Sequence, residues 1–505
     1  MDIKKRIALV ILSLNIFLTS CGIQKDSKIS KDNTNNETKP NKVIEILASK
    51  YDGLTLSNED KDILNSAINI PSMQDFINNV KFIDVTYPYE ELYSDKHIDY
   101  EVSKVSEYYL DIDVLYKKVL ENNNAYQKTF NNDTYNNTTD EFVYDVCKKI
   151  IKIYNELIAR GINLDKEHIN SNLSTLKIFL YKGYNYGYYN PNQGILGINI
   201  TNDKDALDDV LNHEIMHIFT GSNKKELDNN GLKNKVGYLY SFDNEEINSF
   251  NWTWFSEASA ENLGRSINEK GTLYEREIKS LEFMKFATFN TSYDIECTLF
   301  SSDINNLYAC FPNLTHDEVN KMFYAYAIIF NSNTAEEGYY FYRNLEKQGI
   351  TIKPGEYGNF ESTLKSSIAL SLSKEFYINM AQRIESKSVS LNDIFKLISI
   401  FELELSRELW YQSKYEDLEY FLSNYYRLQE MFFDVISMNL KVDTDYLKEL
   451  YYMYNNEITI NDINISFLSD TENSFINYIN KSRIGNKKDA ILKVYDDNFT
   501  SNLSR

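Results

Sequence analysis

The chain contains little cysteine, proline and histidine. Its 505 residues include 4 cysteines, 6 prolines and 5 histidines. No two cysteines form a CxxC pair, so a zinc site built from paired cysteines is not expected. Basic residues number 53 against 74 acidic ones, and the net charge of -21 argues against a nucleic-acid partner. With 43% hydrophobic and 25% charged residues the composition is that of a globular protein. The length predicts roughly two or three domains.

The chain also has no long hydrophobic run. Its longest apolar stretch is shorter than the ~20 residues of a membrane-spanning helix. That stretch, residues 7–18 (IALVILSLNIFL), follows the basic start MDIKKR and leads to Cys21. It is typical of a signal peptide, and its ending in small residues and a cysteine resembles a bacterial lipoprotein signal. The resemblance implies a signal peptide over 1–20 and acylation of Cys21. A plain secretory signal is the alternative. Residues 21–42 are polar and predict a disordered tether. The expected location is the outer face of the bacterial cell membrane, reached by export and lipid anchoring.

Helical patterning dominates the rest of the chain and is interrupted by a short stretch of strand patterning. From residue 43 to 165 the pattern is helical, with one strongly amphipathic helix that begins at Thr139-Asp140 and ends at Gly161. KIFLYKGYNYGYYN and NQGILGINI then predict strands, the second entered through Gly194. Helical patterning returns at Asp203–Asp205, and Gly221 can close that helix.

The second half of the chain is predicted to be mostly helical. Residues 222–251 are polar and predict a loop, and a helix is expected over 253–267. Periodic runs at 390–408 and 414–440 predict long helices. The domain prediction is a helical N-terminal domain (43–165), a central domain (166–385) and a helical C-terminal region (386–505).

Two of the five histidines stand four residues apart in LNHEIMHIFTG, with a glutamate after the first. This spacing places His213 and His217 on one helix face, about 5–6 Å apart at Cβ. Both imidazoles can therefore reach one ion through Zn–N bonds of roughly 2.0–2.1 Å. Glu214 is rotated about 100° around the helix axis and can hold a water beside the ion without being a ligand. This is the HExxH arrangement of zinc peptidases, and chance predicts roughly 0.004 matches here.

The residues around this motif predict a buried helix, in which histidines without partners would be costly. The alternative is a surface helix on which the two histidines and the glutamate are merely polar. The apolar residues that argue against this alternative are Leu207, Val210, Leu211, Ile215, Met216, Ile218 and Phe219.

A catalytic zinc site needs a third protein ligand and one open position. A third histidine is absent from the HExxHxxGxxH spacing, where the chain has Asn223. Glu257 and Glu261, in WFSEASAEN, stand four residues apart on one predicted helix face. One could bind the metal while the other accepts a hydrogen bond from a ligating histidine. An exposed glutamate pair is the alternative, but the neighbours Trp254 and Phe255 favour a buried face.

HEIMH followed by TWFSEASAEN resembles the microbial collagenases, zinc peptidases of the gluzincin type. The resemblance covers roughly 175–385. It implies Glu257 as the third ligand, Glu261 as the carboxylate that orients a ligating histidine, and one catalytic Zn²⁺. It implies an α+β, predominantly helical fold with a gluzincin-like domain, in which a small mixed sheet with an edge strand meets the active-site helices. Helical N- and C-terminal regions flank that domain. NQGILGINI resembles the family's edge strand, so an extended polypeptide substrate is expected along 194–200.

Several positions depart from the family pattern. The spacing from His217 to Glu257 is longer than the family pattern, so residues 222–251 contain an insertion. The family has a glycine directly after the liganding glutamate, where this chain has Ala258. The family's calcium site uses a carboxylate where this chain has Asn199, which makes calcium (Ca²⁺) binding doubtful. The N-terminal region is shorter than the family's helical activator, and no collagen-binding domain is evident. Cleavage of native collagen is therefore the least supported implication.

The expected function is hydrolysis of extracellular proteins or peptides, gelatin or collagen included, by a zinc metalloendopeptidase in which Glu214 activates water. The family also uses a tyrosine to stabilise the tetrahedral intermediate, for which Tyr308 is the first candidate and Tyr293 the second. One alternative is a surface-binding lipoprotein with an inactive peptidase-like domain. Another is a zinc aminopeptidase, although NQGILGINI lacks a carboxylate to grip a substrate amine.

The remaining cysteines and histidines predict no further site. A disulfide between Cys297 and Cys310 is chemically permitted outside the cytoplasm and would leave Cys147 over. The other histidines are interpreted as exposed loop residues: His97, His168 and His316.

Overall fold

The computed structural model is predominantly helical with small sheets, which confirms the coarse fold class. The structure describes residues 55–87, 105–130, 138–183, 185–191, 193–200, 204–222, 232–236, 239–242, 253–268, 274–290, 294–300, 304–331, 357–410 and 415–457. The predicted signal peptide, the acylated Cys21 and the tether lie outside these residues. In the part of the chain that is described, no helix combines the length and apolarity needed to cross a membrane.

The helices are α1 (Asn58–Leu64), α2 (Gln74–Lys81), α3 (Ile112–Phe130), α4 (Asp140–Ala159), α5 (Lys166–Thr175), α6 (Lys204–Thr220), α7 (Thr253–Asn268), α8 (Glu275–Thr288), α9 (Asp294–Cys297), α10 (Asn305–Tyr308), α11 (His316–Asn331), α12 (Tyr357–Ser386), α13 (Leu391–Trp410), α14 (Tyr415–Leu440) and α15 (Thr444–Glu457). The strands are β1 (Ala67–Ile68), β2 (Lys177–Tyr181), β3 (Gly187–Asn190), β4 (Ile195–Asn199), β5 (Gly221–Ser222), β6 (Leu232–Val236), β7 (Leu239–Phe242) and β8 (Val389–Ser390).

Helix α4 shows how the local sequence determines an element. The Thr139 side chain accepts a hydrogen bond from the backbone N–H of Phe142, which caps the first turn. Val146, Ile150, Ile153 and Leu157 are buried along one stripe, and Gly161 follows the helix with φ 79°. The predicted helix is confirmed from its cap to its end, as are the long helices predicted at 390–408 and 414–440.

The sheet beside the motif helix is mixed, with the strand order β2-β4-β3. β2 runs parallel to β4, and β3 pairs antiparallel with β4 on the other side. The strand predicted within NQGILGINI (194–200) is therefore confirmed as Ile195–Asn199, but its predicted place at the edge is wrong. β4 is the central strand because the chain inserts β3 as the first arm of a hairpin, so β3 occupies the edge.

The two sides of this sheet differ in what covers their backbone. Along β2, Asn123 of α3 accepts from Ile178 N (3.1 Å) and donates to Ile178 O (2.9 Å). Leu180 N donates to the hydroxyl of Thr138 at 2.8 Å. Side chains thus block the outer edge of β2 against further strand pairing.

Residues 222–251 were predicted to form a loop, and this prediction is wrong for the described part. β6 and β7 form an antiparallel hairpin, and β5 at the end of α6 pairs with β6. These strands were not predicted because their residues do not alternate between apolar and polar, which is the pattern of a half-buried strand.

Two large hydrophobic cores organise the helices in the described part of the chain. One core joins α1 and α2 to the long helices α12–α15, and β1 pairs with β8 across it. The other core gathers α3–α6 around β2 and β4. Helix α7 belongs to both, since Phe255 and Ala258 lie in the first core and Ala260 and Leu263 in the second. The elements that carry the HEIMH and WFSEASAEN motifs therefore meet at the junction of the two cores.

Candidate metal centre

Helix α6 carries the HEIMH motif through the interior, since every residue from Val210 to Thr220 is buried. Side chains of α5 form hydrogen bonds with backbone carbonyl oxygens at the end of α6. The amide of Asn172 donates to Ile218 O at 2.8 Å and also to Gly221 O, which a ring nitrogen of His168 contacts as well. These contacts satisfy groups that a helix end leaves without partners. The interpretation of His168 as an exposed loop residue is wrong, because it is a buried cap of the motif helix.

Helix α7 carries WFSEASAEN and is held against α6 and α11. The indole N–H of Trp254 donates to Phe323 O at 3.0 Å, which fixes the start of α7 on α11. Further along, a Cβ at Gly264 would lie 3.4 Å from the Cβ of Asn212 and from the backbone N of His213. A Cβ at 264 would thus make only ordinary van der Waals contacts, and the distances place this part of α7 directly beside the backbone of the first histidine.

Three side chains converge at the junction of α6 and α7. Nε2 of His213 and Nε2 of His217 are 3.1 Å apart. Oε2 of Glu257 lies 3.0 Å from the first and 3.3 Å from the second. All three residues are buried, and as a group they could hold a metal ion. Three ligands of a tetrahedral zinc site with bonds of roughly 2.0–2.1 Å would be separated by about 3.3 Å. The observed spacing fits such a site, and His213, His217 and Glu257 are called the ligand triad below.

The hydrogen bonds around the ligand triad test whether a cation fits. Glu261 Oε2 lies 3.0 Å from Nδ1 of His213. Because a carboxylate accepts, Nδ1 of His213 donates its proton there, and the neutral ring presents a lone pair at Nε2. That lone pair faces the carboxylate of Glu257 and the second imidazole. Acceptors that converge on one point repel each other unless a cation lies between them, so the donor set is that of a metal site.

The electrostatics of the ligand triad favour positive charge. Burial alone raises the pKa of Glu257, but the imidazoles of His217 and His213 outweigh it and lower that pKa to about 2. Burial likewise lowers the pKa of His213, yet its hydrogen bonds to Glu257 and Glu261 raise it well above the usual value. The carboxylate thus stays ionised, and the site attracts either a proton or a metal ion.

Glu214 lies one residue beyond the first histidine and is 2% exposed. Strand β3 passes directly over it at Gly187. A Cβ at position 187 would be 2.4 Å from Cγ1 of Val210, 3.2 Å from Cγ of Glu214 and 3.4 Å from its Oε1. Only a residue without a side chain lets the strand approach the glutamate this closely.

A buried network ties α7 to its neighbours behind the ligand triad. The amide of Asn262 donates to Glu282 (2.9 Å) and to Glu296 (2.7 Å). Lys285 forms ion pairs with the same two carboxylates. Burial lowers the pKa of Lys285, but Glu296 and Glu282 outweigh it and raise the pKa, so the ammonium stays charged. The network connects α7, α8 and α9 and limits how far Glu257 and Glu261 can move.

The structure gathers the predicted ligands but leaves other candidates elsewhere. Tyr308 is buried between α10 and α11, where its hydroxyl shares hydrogen bonds with Asn320 and its ring stacks on His316. These contacts give no support to a role on an intermediate. Tyr293 lies outside the described residues. The amide of Asn199 donates to the carbonyls of Gly183 (2.7 Å) and Asn185 (2.8 Å).

The three cysteines that lie within the described residues form no disulfide, so the permitted Cys297–Cys310 pairing is not made. Cys147, Cys297 and Cys310 are free thiols. Burial raises the pKa of Cys147 and of Cys310 to about 12, which keeps both thiols protonated and unreactive.

Two positions next to the metal centre have no signal in the sequence. Gly187 lies in a tyrosine-rich stretch with no motif, and its importance follows from what packs over it. Tyr274 is one of 40 tyrosines, and its ring stacks on His213.

No family model, curated protein or solved structure matches the chain. The function is therefore argued from the geometry of the metal centre.

Proposed function

We propose that the chain is a zinc metalloendopeptidase of the gluzincin type, similar to the microbial collagenases, that hydrolyses internal amide bonds of extended polypeptides. The observation that carries the proposal is the convergence of His213 Nε2, His217 Nε2 and Glu257 Oε2 within 3.0–3.3 Å, beside the buried Glu214. Two histidines and one glutamate are a donor set of catalytic zinc sites, which keep one position open.

Each residue is proposed to have the role that its placement supports. When bound, a zinc ion would polarise the scissile carbonyl and lower the pKa of water. Glu214 takes the proton of the attacking water and gives it to the leaving amine. Glu261 holds the proton on Nδ1 of His213 and so keeps the Nε2 lone pair directed into the ligand triad. The Asn262 network holds the helix on which both carboxylates lie.

The substrate is proposed to bind as an added strand along β3. Side chains block the other edge of this sheet at Ile178 and Leu180, and β3 is the last strand at the opposite end of the strand order. Its residues are buried, so a substrate strand would have to displace the groups that cover them. β3 also passes over Glu214 at Gly187. Main-chain pairing there would hold a peptide regardless of its side chains, which supports an endopeptidase over an aminopeptidase.

The cellular location is proposed from the N-terminal sequence alone. Export followed by acylation of Cys21 would place the metal centre outside the cytoplasm, close to extracellular polypeptides. Gelatin and unfolded proteins are the proposed substrate class.

Metal content and peptide mapping of the purified protein test the proposal. We expect one zinc ion per chain, measured by mass spectrometry of the metal, and internal cleavages in digests of denatured protein. Glu214→Gln should retain zinc and lose roughly 10²- to 10⁴-fold in kcat/KM. Glu141→Gln, at an exposed glutamate of α4, is the matched control and should cleave like the wild type.

Three results would contradict the proposal. They are absence of stoichiometric zinc, cleavage confined to chain ends, and unchanged cleavage in Glu214→Gln. A comparison of gelatin with native collagen then decides how far the substrate class extends.

A further inference from the structure

Tyr274 lies against the ligand triad in a conformation that requires an explanation. Its ring stacks on the imidazole of His213, with centroids 5.7 Å apart and planes 12° apart. Its backbone is left-handed, with φ 54° and ψ 29°. Aromatic residues adopt this region rarely, and such conformations persist where the surroundings hold them, often at functional sites. The side chain is half-buried.

The position of Tyr274 is coupled to the helix that carries the glutamate ligand. Its carbonyl accepts from Ile278 N at 2.9 Å, which starts α8. Helix α8 is joined to α7 through the hydrogen bond from Asn262 to Glu282. Tyr274, Glu257 and Glu261 are therefore carried by two helices that are fastened to each other.

The two ligating histidines are held differently. His213 is fixed at Nδ1 by Glu261 and on one ring face by Tyr274. For His217, the described part of the chain provides no hydrogen-bond partner at Nδ1. Because χ2 of a histidine has a broad well, contacts at the two ring nitrogens fix those atoms but not the rotation of the ring plane about the line that joins them. A flat ring stacked on its face removes this freedom.

We propose that Tyr274 is a positioning residue of the metal centre: its ring, stacked on His213, holds that imidazole at the tilt at which Nε2 points into the ligand triad. The inference rests on the proposed metal-binding function of the ligand triad. The role belongs to the ring and not to the hydroxyl, so phenylalanine should replace tyrosine without loss.

The test compares three variants of the whole protein. Tyr274→Phe keeps the ring. Tyr274→Asn removes it, and asparagine tolerates the left-handed backbone. Phe289→Asn is the matched control, because Phe289 is the left-handed aromatic residue at the other end of α8, with φ 56°. The readouts are the zinc dissociation constant by chelator competition, the visible spectrum of the cobalt-substituted protein, kcat and KM, and thermal unfolding of the metal-free protein.

Loss of the aromatic stacking pair should raise the zinc dissociation constant roughly 3- to 10-fold in Tyr274→Asn. In Tyr274→Phe the dissociation constant should stay within about twofold of the wild-type value. The cobalt spectrum should shift in Tyr274→Asn alone, and kcat should fall with KM little changed. Phe289→Asn should lower the unfolding temperature and leave zinc affinity unchanged.

Unchanged zinc affinity and cobalt spectrum in Tyr274→Asn would overturn the inference. It is also overturned if Tyr274→Phe behaves like Tyr274→Asn, or if Phe289→Asn weakens zinc equally. Zinc binding that depends on Tyr274 in a protein that cleaves no peptide would refute the proposed function and leave the positioning role standing. A wild-type protein that binds no zinc overturns both.

Discussion

Replacement of Gly187 by alanine should displace Glu214, the proposed general base, without removing a proposed metal ligand. The added Cβ would lie 2.4 Å from Cγ1 of Val210, a distance that real Cβ atoms essentially never show. Val210 is buried and β-branched, so its methyl group cannot swing away cheaply. Either strand β3 moves outward or α6 moves, and in both cases the gap between Gly187 and Glu214 changes.

The expected magnitude follows from the size of this clash. One methyl group forced into a packed site costs about 1–3 kcal/mol of unfolding free energy. A misplacement of about 1 Å at a catalytic group costs on the order of 10²-fold in rate. We therefore expect Gly187→Ala to lower stability by about 2 kcal/mol and kcat/KM by roughly 10- to 100-fold. Zinc content should be unchanged, because the ligand triad lies on α6 and α7.

Urea unfolding, metal content and cleavage of a quenched peptide measure these three effects. The double variant Gly187→Ala with Val210→Ala removes the clashing methyl group and should recover part of the lost activity. Gly264→Ala is the matched control near the same helices, since a Cβ there meets nothing closer than 3.4 Å. The reasoning is refuted if Gly187→Ala is as stable and as active as the wild type, or if the double variant is less active than the single one.

Two further predictions concern buried carboxylates. Glu261→Gln should weaken zinc binding by roughly 10- to 100-fold, measured by chelator competition, because the hydrogen bond that orients His213 loses its charge. Unchanged affinity would contradict that role. Glu375 is buried in α12, and burial outweighs its hydrogen bonds from Asn313 and raises its pKa from 4.5 to about 7. Folding therefore favours the protonated form of Glu375. Its contribution to the free energy of unfolding is fully present below pH 4.5 and is lost as the pH rises through about 7. Full deprotonation costs roughly 3 kcal/mol, so Glu375→Gln should unfold with less pH dependence than wild type in urea titrations between pH 4.5 and 8.

The two histidines and the glutamate pair were predicted from local spacing, which an α-helix converts directly into geometry, whereas the choice of Glu257 over Glu261 as the ligand came from the family resemblance. His213 and His217 share a face because four residues make about one helical turn. The same rule placed Glu257 and Glu261 together on α7, and the apolar residues around both pairs predicted that the faces were buried. In the structure the two histidines and Glu257 converge on one point, and Glu261 contacts the far side of the His213 ring.

The features that the sequence did not predict depend on long-range packing. The order of β2, β4 and β3 depends on where a hairpin folds back, and a one-dimensional pattern does not encode which strand ends at the edge. His168 caps α6 from another helix, 53 residues from Gly221 in sequence, so its own surroundings in the chain looked polar and exposed. The proposed role of Tyr274 depends on its stacking against the His213 ring, and no periodic pattern in the sequence predicts such a contact.

The position of α7 explains why a buried charged site is tolerated in this fold. Its Phe255 and Ala258 pack in one core, and its Ala260 and Leu263 pack in the other. Glu257 and Glu261 lie on the same helix, between these two sets of contacts. Buried carboxylates without partners would destabilise either core, yet each of them faces an imidazole from α6. A metal ion at the ligand triad would be bound by side chains of both α6 and α7. Binding to the folded state alone adds to folding stability. The ion would therefore stabilise the contact between the two cores in addition to its proposed role in hydrolysis. The junction that carries the catalytic proposal is thus also the place where a bound metal would contribute most to the fold.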